Sequence, residues 1–207
     1  MKTLLALCAL TTSCAFAADG WQTLFNGKDL EGWKPNEKPE TFVVKDGELI
    51  VKGDRSHLFY VGKGDSPKFK NFELRLEIMT KPKANSGVYV HTEFQPDGWP
   101  GKGYEIQVNN THQDPKKTAG VYGIKDNFTA PAKDDEWFTM LITVKDRTIT
   151  TKVNDKLISE WTEPEGWVPP KSFAGRQLNP AGGTIAIQGH DPGSEVHYRK
   201  IEIKPLP

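Results

Sequence analysis

Apolar and polar side chains alternate with a two-residue period in several stretches of this chain. Residues 72–78 read FELRLEI, in which every second residue is apolar and the three between are charged. Residues 104–109, YEIQVN, repeat the alternation, with a polar face that carries Glu105, Gln107 and Asn109. This period is that of a β-strand with one buried face, and no stretch of useful length has the spacing of an amphipathic helix. The sequence therefore predicts an all-β protein.

Turn signals divide the rest of the chain into further short strands. Two apolar runs flank Asp46-Gly47 within residues 42–51, which is the signature of a β-hairpin. Further strands are predicted over residues 137–145, 148–153, 184–190 and 196–203, and long loops over 112–135 and 164–183. Many short strands joined by turns are typical of an antiparallel β-sandwich or jelly roll. Neither an internal repeat nor a linker indicates a second domain.

The charge balance argues against some classes of partner. Lys+Arg and Asp+Glu each number 27, so the formal net charge is zero, and Lys116-Lys117 is the one basic cluster. Proteins that bind nucleic acid or an anionic membrane surface normally carry a basic patch or run. No nucleic-acid partner is therefore expected.

The first 17 residues are expected to be a signal peptide, followed by one domain over residues 18–207. Lys2 supplies the positive charge, residues 4–10 the apolar run, and Ala15-Phe16-Ala17 the cleavage site. The apolar run is too short to span a bilayer, so a secreted or periplasmic protein without a transmembrane segment is expected. Both cysteines, Cys8 and Cys14, lie in this segment. Lipid attachment at Cys14 is the less favoured alternative, because the preceding residues match a lipoprotein box poorly.

Five blocks of sequence, in order, resemble the 3-keto-disaccharide hydrolase family. They are LFNGKDLEGW at residues 24–33, FELR at 72–75, NSGV at 85–88, YEIQ at 104–107, and IAIQGH at 185–190 followed by YRKI at 198–201. The resemblance extends over the whole mature chain. It differs in two places: Gly189 stands between Gln188 and His190 where the family often has Asp, and the insert at residues 96–100 is peculiar to this chain.

The resemblance implies a concanavalin-like jelly roll that cleaves glycosides already oxidised at the third carbon of the sugar. It also implies that the substrate is a carbohydrate, and that cleavage proceeds by hydrolysis or by elimination followed by hydration. A ketone at carbon 3 acidifies the hydrogen on carbon 2, so the reaction needs a base there and a group that stabilises the enolate oxygen. Arg or a divalent metal ion suits the second role. A non-catalytic, lectin-like sugar-binding module on the same scaffold is the alternative.

Two residues are candidates for the catalytic roles. Glu105 is expected to be the base or a metal ligand, and a solvated glutamate on an ordinary sandwich strand is the alternative. His190 lies at the end of a predicted strand, on the same side as Gln188, because alternate residues share a face. It is expected to serve as base, acid or metal ligand. A second carboxylate for an ordinary glycosidase, or a spaced set of zinc ligands, is not evident beside them.

Five further residues are expected to contact the sugar. Gln107 and Gln188 would orient hydroxyl groups, and Trp99, on a loop rich in Gly and Pro, would stack on a sugar ring. Alternation places His91 on the face of Gly87 and Tyr89, and so in the same cleft. Arg75 would bind a carbonyl or hydroxyl group, or form an ion pair with Glu73 or Glu77 instead. One concave surface is expected to be lined by Arg75, His91, Glu105, Gln107 and His190, and the oligomeric state is left open.

Overall fold

The computed structural model describes residues 19–64 and 67–207. The expected signal peptide, with Cys8 and Cys14, lies outside the described residues. Fifteen strands are formed within those ranges: β1 (Gln22–Thr23), β2 (Trp33–Pro35), β3 (Phe42–Lys45), β4 (Glu48–Lys52), β5 (Ser56–Tyr60), β6 (Phe72–Thr80), β7 (Ser86–Thr92), β8 (Tyr104–Val108), β9 (Lys117–Val121), β10 (Lys125–Asn127), β11 (Phe138–Lys145), β12 (Thr148–Val153), β13 (Lys156–Thr162), β14 (Thr184–Gly189) and β15 (Glu195–Pro205). Two 3-10 turns, Pro39–Thr41 and Lys171–Phe173, complete the regular structure of these ranges.

The strands form two antiparallel sheets that pack face to face. In the back sheet the order is β13-β12-β11-β6-β15-β4-β3, with β1 paired to β15. In the front sheet the order is β10-β9-β8-β7-β14-β5-β2. The predicted all-β antiparallel sandwich is therefore confirmed. The described part of the chain contains no helix with the length and apolarity that a membrane span requires.

The core lies between the sheets and is built from the alternation seen in the sequence. In β6 the side chains of Phe72, Leu74, Leu76 and Ile78 are fully buried, whereas the charged residues between them are partly exposed. The front sheet contributes its own inward row, of which Ile106 is fully buried. Burying one such side chain stabilises the fold by roughly 1.5–3 kcal/mol, so the core rows fix which face of each strand turns outward.

The predicted hairpin is present, and the conformation of its turn explains why Asp46-Gly47 occurs there. Lys45 pairs with Glu48, so Asp46 and Gly47 are the two loop residues between β3 and β4. Their φ angles are 52° and 83°, the left-handed conformation that two-residue hairpins need at both positions.

Two expectations about the strands are wrong. Residues 112–135 are not a single long loop, because β9 and β10 lie within them. In β9 the backbone at Ala119 has a φ of 69°, which breaks the regular alternation of faces on which the prediction relied. β5 was also not predicted. Its first four residues are all buried, so it shows no alternation: Leu58 belongs to the main core, and Phe59 to a small apolar cluster on the outer side of the front sheet.

Candidate active site

A cavity of about 580 Å³ opens on the outer side of the front sheet. Its floor is formed by side chains of β7, β8 and β14, and its walls by the loops at residues 99–101 and 171–176. Five of the seven residues selected from the sequence line it: Trp99, Glu105, Gln107, Gln188 and His190. The structure thus brings the carboxylate of Glu105 and the imidazole of His190 to one cavity.

Strand register places the floor residues side by side. Tyr89 lies directly opposite Glu105, and Gly87 opposite Gln107, in the β7–β8 pair. Because their strand neighbours point into the core, these residues turn outward together. Residue 87 has to be glycine at this position. A Cβ at this position would lie 2.7 Å from Oε1 of Glu105, so only glycine leaves room for the carboxylate.

The carboxylate of Glu105 is held by three donors. Its Oε2 accepts hydrogen bonds from the Tyr89 hydroxyl (2.9 Å) and from Nη2 of Arg176 (3.1 Å). Its Oε1 accepts one from Nε2 of Gln188 (2.7 Å). Glu105 and Arg176 are both buried, so they form an ion pair that is largely withdrawn from solvent. Removing either partner of such a pair leaves a buried charge without compensation.

Burial and neighbouring groups shift the pKa of Glu105 in opposite directions. Burial is the largest influence and raises the pKa of its carboxyl group, while the charge of Arg176 and the hydrogen bonds from Tyr89 and Gln188 lower it. The net shift is upward. Burial also raises the pKa of Tyr89 well above its ordinary value, so this hydroxyl stays protonated and serves as a donor.

His190 is oriented by the residue that follows it. Its Nδ1 lies 2.6 Å from Oδ2 of Asp191, which also accepts a hydrogen bond from the Ser194 hydroxyl (2.8 Å). Burial alone would raise the pKa of Asp191, but the hydrogen bonds from His190, Ser194 and the Gly193 N–H leave that pKa below its ordinary value. With Nδ1 engaged, Nε2 is the ring nitrogen available for proton transfer.

Three buried amide oxygens line the cavity without a partner. They are Oδ1 of Asn85, Oε1 of Gln107 and Oε1 of Gln188, each lacking a hydrogen bond to any described residue. A buried acceptor left unbonded is unfavourable by about 1–3 kcal/mol.

Aromatic rings and loop backbones form the rim. Trp99 is 44% exposed, and its ring centroid lies 5.4 Å from that of His190. Gln95 shapes this loop from within, because its side-chain amide donates to the carbonyl of Trp99 (2.8 Å) and accepts from the Gly101 N–H (2.8 Å). The opposite wall approaches closely, since a Cβ on Gly175 would lie 1.5 Å from the carbonyl oxygen of Gly101.

The expectation for Arg75 is wrong. Arg75 lies on β6 of the back sheet, on the face opposite the core, and therefore on the other side of the sandwich from the cavity. Its guanidinium pairs with Glu202 (2.7 Å) and lies over the ring of Trp21 at 4.2 Å. The alternative named Glu73 or Glu77 as the partner, whereas the structure pairs Arg75 with Glu202 on the neighbouring strand β15.

The expectation for His91 is also wrong. The prediction assumed that alternation continues from Tyr89, but the backbone at His91 has a φ of 54°, and the pairing of β7 with β14 shifts register next to it. The imidazole therefore turns away from the cavity, stacks on Phe72 at 6.0 Å, and bonds to the backbone of Lys70 and Asn179. Both ring nitrogens are used in this structural role.

Four residues of the site were missed in the sequence, and one of them is Tyr89, which lines the cavity and donates to Glu105. Arg176 lies in a loop without periodic pattern, so no signal pointed to it. Asp191 follows His190 directly, and a carboxylate beside a candidate catalytic histidine was a signal that could have been used. Asn85 was interpreted as a turn residue, yet it is buried at the cavity.

The described residues offer no evident metal site. Across 19–64 and 67–207, no group of three or more His, Cys, Asp or Glu side chains is arranged to hold a metal ion. The divalent metal considered above therefore has no ligand set in those ranges. Arg176 is the cation that the described residues place beside Glu105.

Comparison with known proteins identifies the family. A family model described as the 3-keto-α-glucoside-1,2-lyase-like domain matches residues 20–204. The chain belongs to this family. The resemblance found in the five sequence blocks is thereby confirmed. A curated relative from Bacteroides thetaiotaomicron, named 3-keto-disaccharide hydrolase, is 27% identical, and the alignment covers 91% of this chain and 79% of that protein.

Solved structures with the same fold include proteins named for action on, or binding of, carbohydrates. A Parabacteroides distasonis protein proposed to be a glycosyl hydrolase superposes with a TM-score of 0.78 at 23% identity, covering 92% of this chain and 95% of that one. The carbohydrate-binding module CBM66 from Bacillus subtilis has a TM-score of 0.58 at 10% identity, covering 84% and 96%. At these identities the likeness establishes the fold of this family member.

Proposed function

We propose that this family member is an exported enzyme that cleaves glycosides carrying a ketone at carbon 3 of the sugar. The observation that carries the proposal is one cavity that gathers a buried Glu105–Arg176 ion pair and an imidazole oriented by a carboxylate. The family's description and the name of the Bacteroides relative support the same substrate class.

The cavity suits a sugar in size and chemistry. Its volume of about 580 Å³ lies within the range of small-molecule sites. The unbonded oxygens of Asn85, Gln107 and Gln188 would accept hydrogen bonds from ring hydroxyl groups. Trp99 at the rim would stack on an apolar sugar face.

In the proposed first step, Nε2 of His190 removes the proton from carbon 2. The electron pair of that C–H bond moves toward the carbonyl, and negative charge develops on the oxygen at carbon 3. Arg176 stabilises this charge, since its bonds to Glu105 and to the Gly103 carbonyl engage two of its five N–H donors. Glu105 holds the guanidinium in place. Its carboxylate oxygens already accept hydrogen bonds from Tyr89, Arg176 and Gln188, so His190 is assigned as the base.

In the second step, the enolate re-forms the ketone as the bond between carbon 1 and the glycosidic oxygen breaks. The protonated His190 gives its proton to the leaving oxygen, and a double bond remains between carbons 1 and 2. Water then adds: His190 takes one proton of the water, the oxygen bonds to carbon 1, and the proton passes to carbon 2. The sum of the steps is hydrolysis, and the imidazole returns to its starting state.

A product assay tests this proposal. The purified chain from residue 18 onward is incubated with a 3-keto disaccharide and, in parallel, with its unoxidised parent. We expect release of free sugars from the first and none from the second. His190→Gln should lower kcat by about a hundredfold or more and so leave at most a slow residual turnover, because general acid–base catalysis contributes on that scale. Arg75→Ala, on the opposite sheet, is the matched control. If the wild-type protein releases nothing, or cleaves both disaccharides equally well, the proposal is wrong.

Sugar binding without turnover is the second candidate function. The exposed Trp99 beside three free amide oxygens favours it, and CBM66 has the same fold. It predicts heat of binding with disaccharides in a calorimeter, together with no product in the parallel assay.

Export has its own test. Protein recovered from the periplasm or the medium should begin at Ala18 when its mass is measured. A mass that includes a lipid attached to Cys14 would support the alternative form of processing instead.

A further inference from the structure

A histidine outside the mechanism above is buried beside the cavity with no hydrogen bond. His57 lies in β5 and is fully buried, and neither Nδ1 nor Nε2 has a partner among the described residues. A buried polar group without a partner is unfavourable, and packing alone could be supplied by phenylalanine. Retaining an imidazole at this position calls for a role that uses its nitrogen atoms.

His57 faces the same side of the front sheet as the cavity. It pairs in register with Gln188, whose side chain lines the cavity floor. Its ring makes an edge contact with Tyr89 at 5.5 Å, and Tyr89 also lines the cavity. Burial lowers the pKa of His57 to about 3, so at neutral pH one ring nitrogen can donate a hydrogen bond and the other can accept one.

Trp99 separates His57 from the open cavity. The ring centroid of Trp99 lies 5.3 Å from that of His57 and 5.4 Å from that of His190, so one side chain contacts both imidazoles. The outer part of Trp99 is exposed, and a bond from Asn36 to the Gly98 carbonyl (3.2 Å) ties this loop to the end of β2.

We propose that Trp99 covers a second sugar-binding position, and that His57 supplies the hydrogen-bonding group of that position. A disaccharide in the cavity displaces the indole, which then stacks on the second sugar, and a hydroxyl group of that sugar bonds to the exposed imidazole. The ligand class rests on the proposed function. The site itself rests on the unbonded nitrogens of His57 and on the contact with Trp99.

Two substitutions separate hydrogen bonding from packing. His57→Phe keeps an aromatic ring and removes both nitrogens, whereas His57→Gln keeps a neutral donor and acceptor. Binding is measured by calorimetry with a 3-keto disaccharide and with the corresponding methyl 3-keto glycoside, each in the His190→Gln background, in which turnover is slowed about a hundredfold or more. The unoxidised disaccharide is included, so that binding is observable even if cleavage of 3-keto sugars fails in the separate product assay.

The expected result is a Kd for the disaccharide that is about tenfold higher with His57→Phe and within threefold of the parent with His57→Gln. The methyl glycoside, which lacks the second sugar, should be affected less. If His57→Phe preserves binding better than His57→Gln, the imidazole of His57 contributes by packing, through contact of its N–H with the face of an aromatic ring. The proposal is then wrong. The proposal is also overturned if the disaccharide and the methyl glycoside lose affinity equally, or if none of the sugars binds.

Whether Trp99 covers His57 is tested by chemical modification with diethyl pyrocarbonate, followed by peptide mass mapping. In the wild-type protein His57 should react slowly, and in Trp99→Ala its rate should rise at least tenfold. His91 is the internal control, because it is equally buried and both of its nitrogens are bonded. Reaction of both histidines in the variant, or of neither, would contradict a local cover over His57.

Discussion

Replacing His57 should remove an acid-dependent loss of stability from the protein. The imidazole has an ordinary pKa of 6.5, and in the folded protein this pKa falls to about 3. Burial is the main cause, and the positive charges of Arg55, His190 and Arg176 add to it. Between these two pH values the unfolded chain binds a proton at His57 that the folded chain excludes.

The sign and size follow from proton linkage. Stability falls as pH falls wherever the unfolded state binds more protons, so the loss begins near pH 6.5 and ends near pH 3. Within that window it amounts to about 1.4 kcal/mol for each pH unit, which is about 2 kcal/mol at pH 5. Above pH 7 the term is absent, because His57 is neutral in both states.

Urea unfolding at pH 7.5 and at pH 5 measures this term in the wild type, in His57→Gln and in His57→Phe. The wild type should lose about 2 kcal/mol more than either variant between the two pH values. Other titrating groups, including His91 with its lowered pKa, are present in all three proteins and cancel. Any cost of repacking in a variant does not depend on pH. Equal losses in the three proteins would show that His57 titrates normally, and the reasoning from burial would fail.

Three further substitutions test the site. Gly87→Ala places a Cβ 2.7 Å from Oε1 of Glu105, so kcat/KM should fall at least about tenfold while the urea midpoint changes little; full activity would mean that the carboxylate position is unimportant. Asp191→Asn removes the acceptor that orients His190, and kcat should fall by roughly a hundredfold with KM nearly constant, whereas a change in KM alone would indicate a binding role. Arg75→Ala should leave kcat/KM within twofold and reduce the free energy of unfolding by less than about 1 kcal/mol; a large loss of activity would contradict its placement on the back sheet.

The fold follows from the sequence wherever a strand buries one face only. β6 is a strand of this kind, and its two-residue period predicts both the strand and the direction of each side chain. All five residues of β8 are buried, but its outward residues are polar because they face the cavity, so the alternation of residue types is kept. β5 is different, because Leu58 packs into the core while Phe59 joins an apolar cluster on the other side. With apolar residues on both faces, β5 has no alternation that the sequence could reveal.

The residues of the site can likewise be predicted only where the alternation of the strand continues. Alternation places Glu105 and Gln107 on the outward face, and the structure places both at the cavity. It fails at His91, because a single left-handed residue reverses the direction of the side chain. Arg176 could not be predicted, since its approach to Glu105 depends on how a loop 71 residues away in sequence packs against the front sheet.

The contact between Gly101 and Gly175 sets the width of the entrance. The Gly103 N–H bonds to the Gly175 carbonyl (3.1 Å), and there is no space for even a methyl group at residue 175. Any larger residue at that position would force the two walls apart, and with them Trp99 on one side and Arg176 on the other. The absence of a side chain at Gly175 thereby determines how closely the two walls of the cavity approach each other.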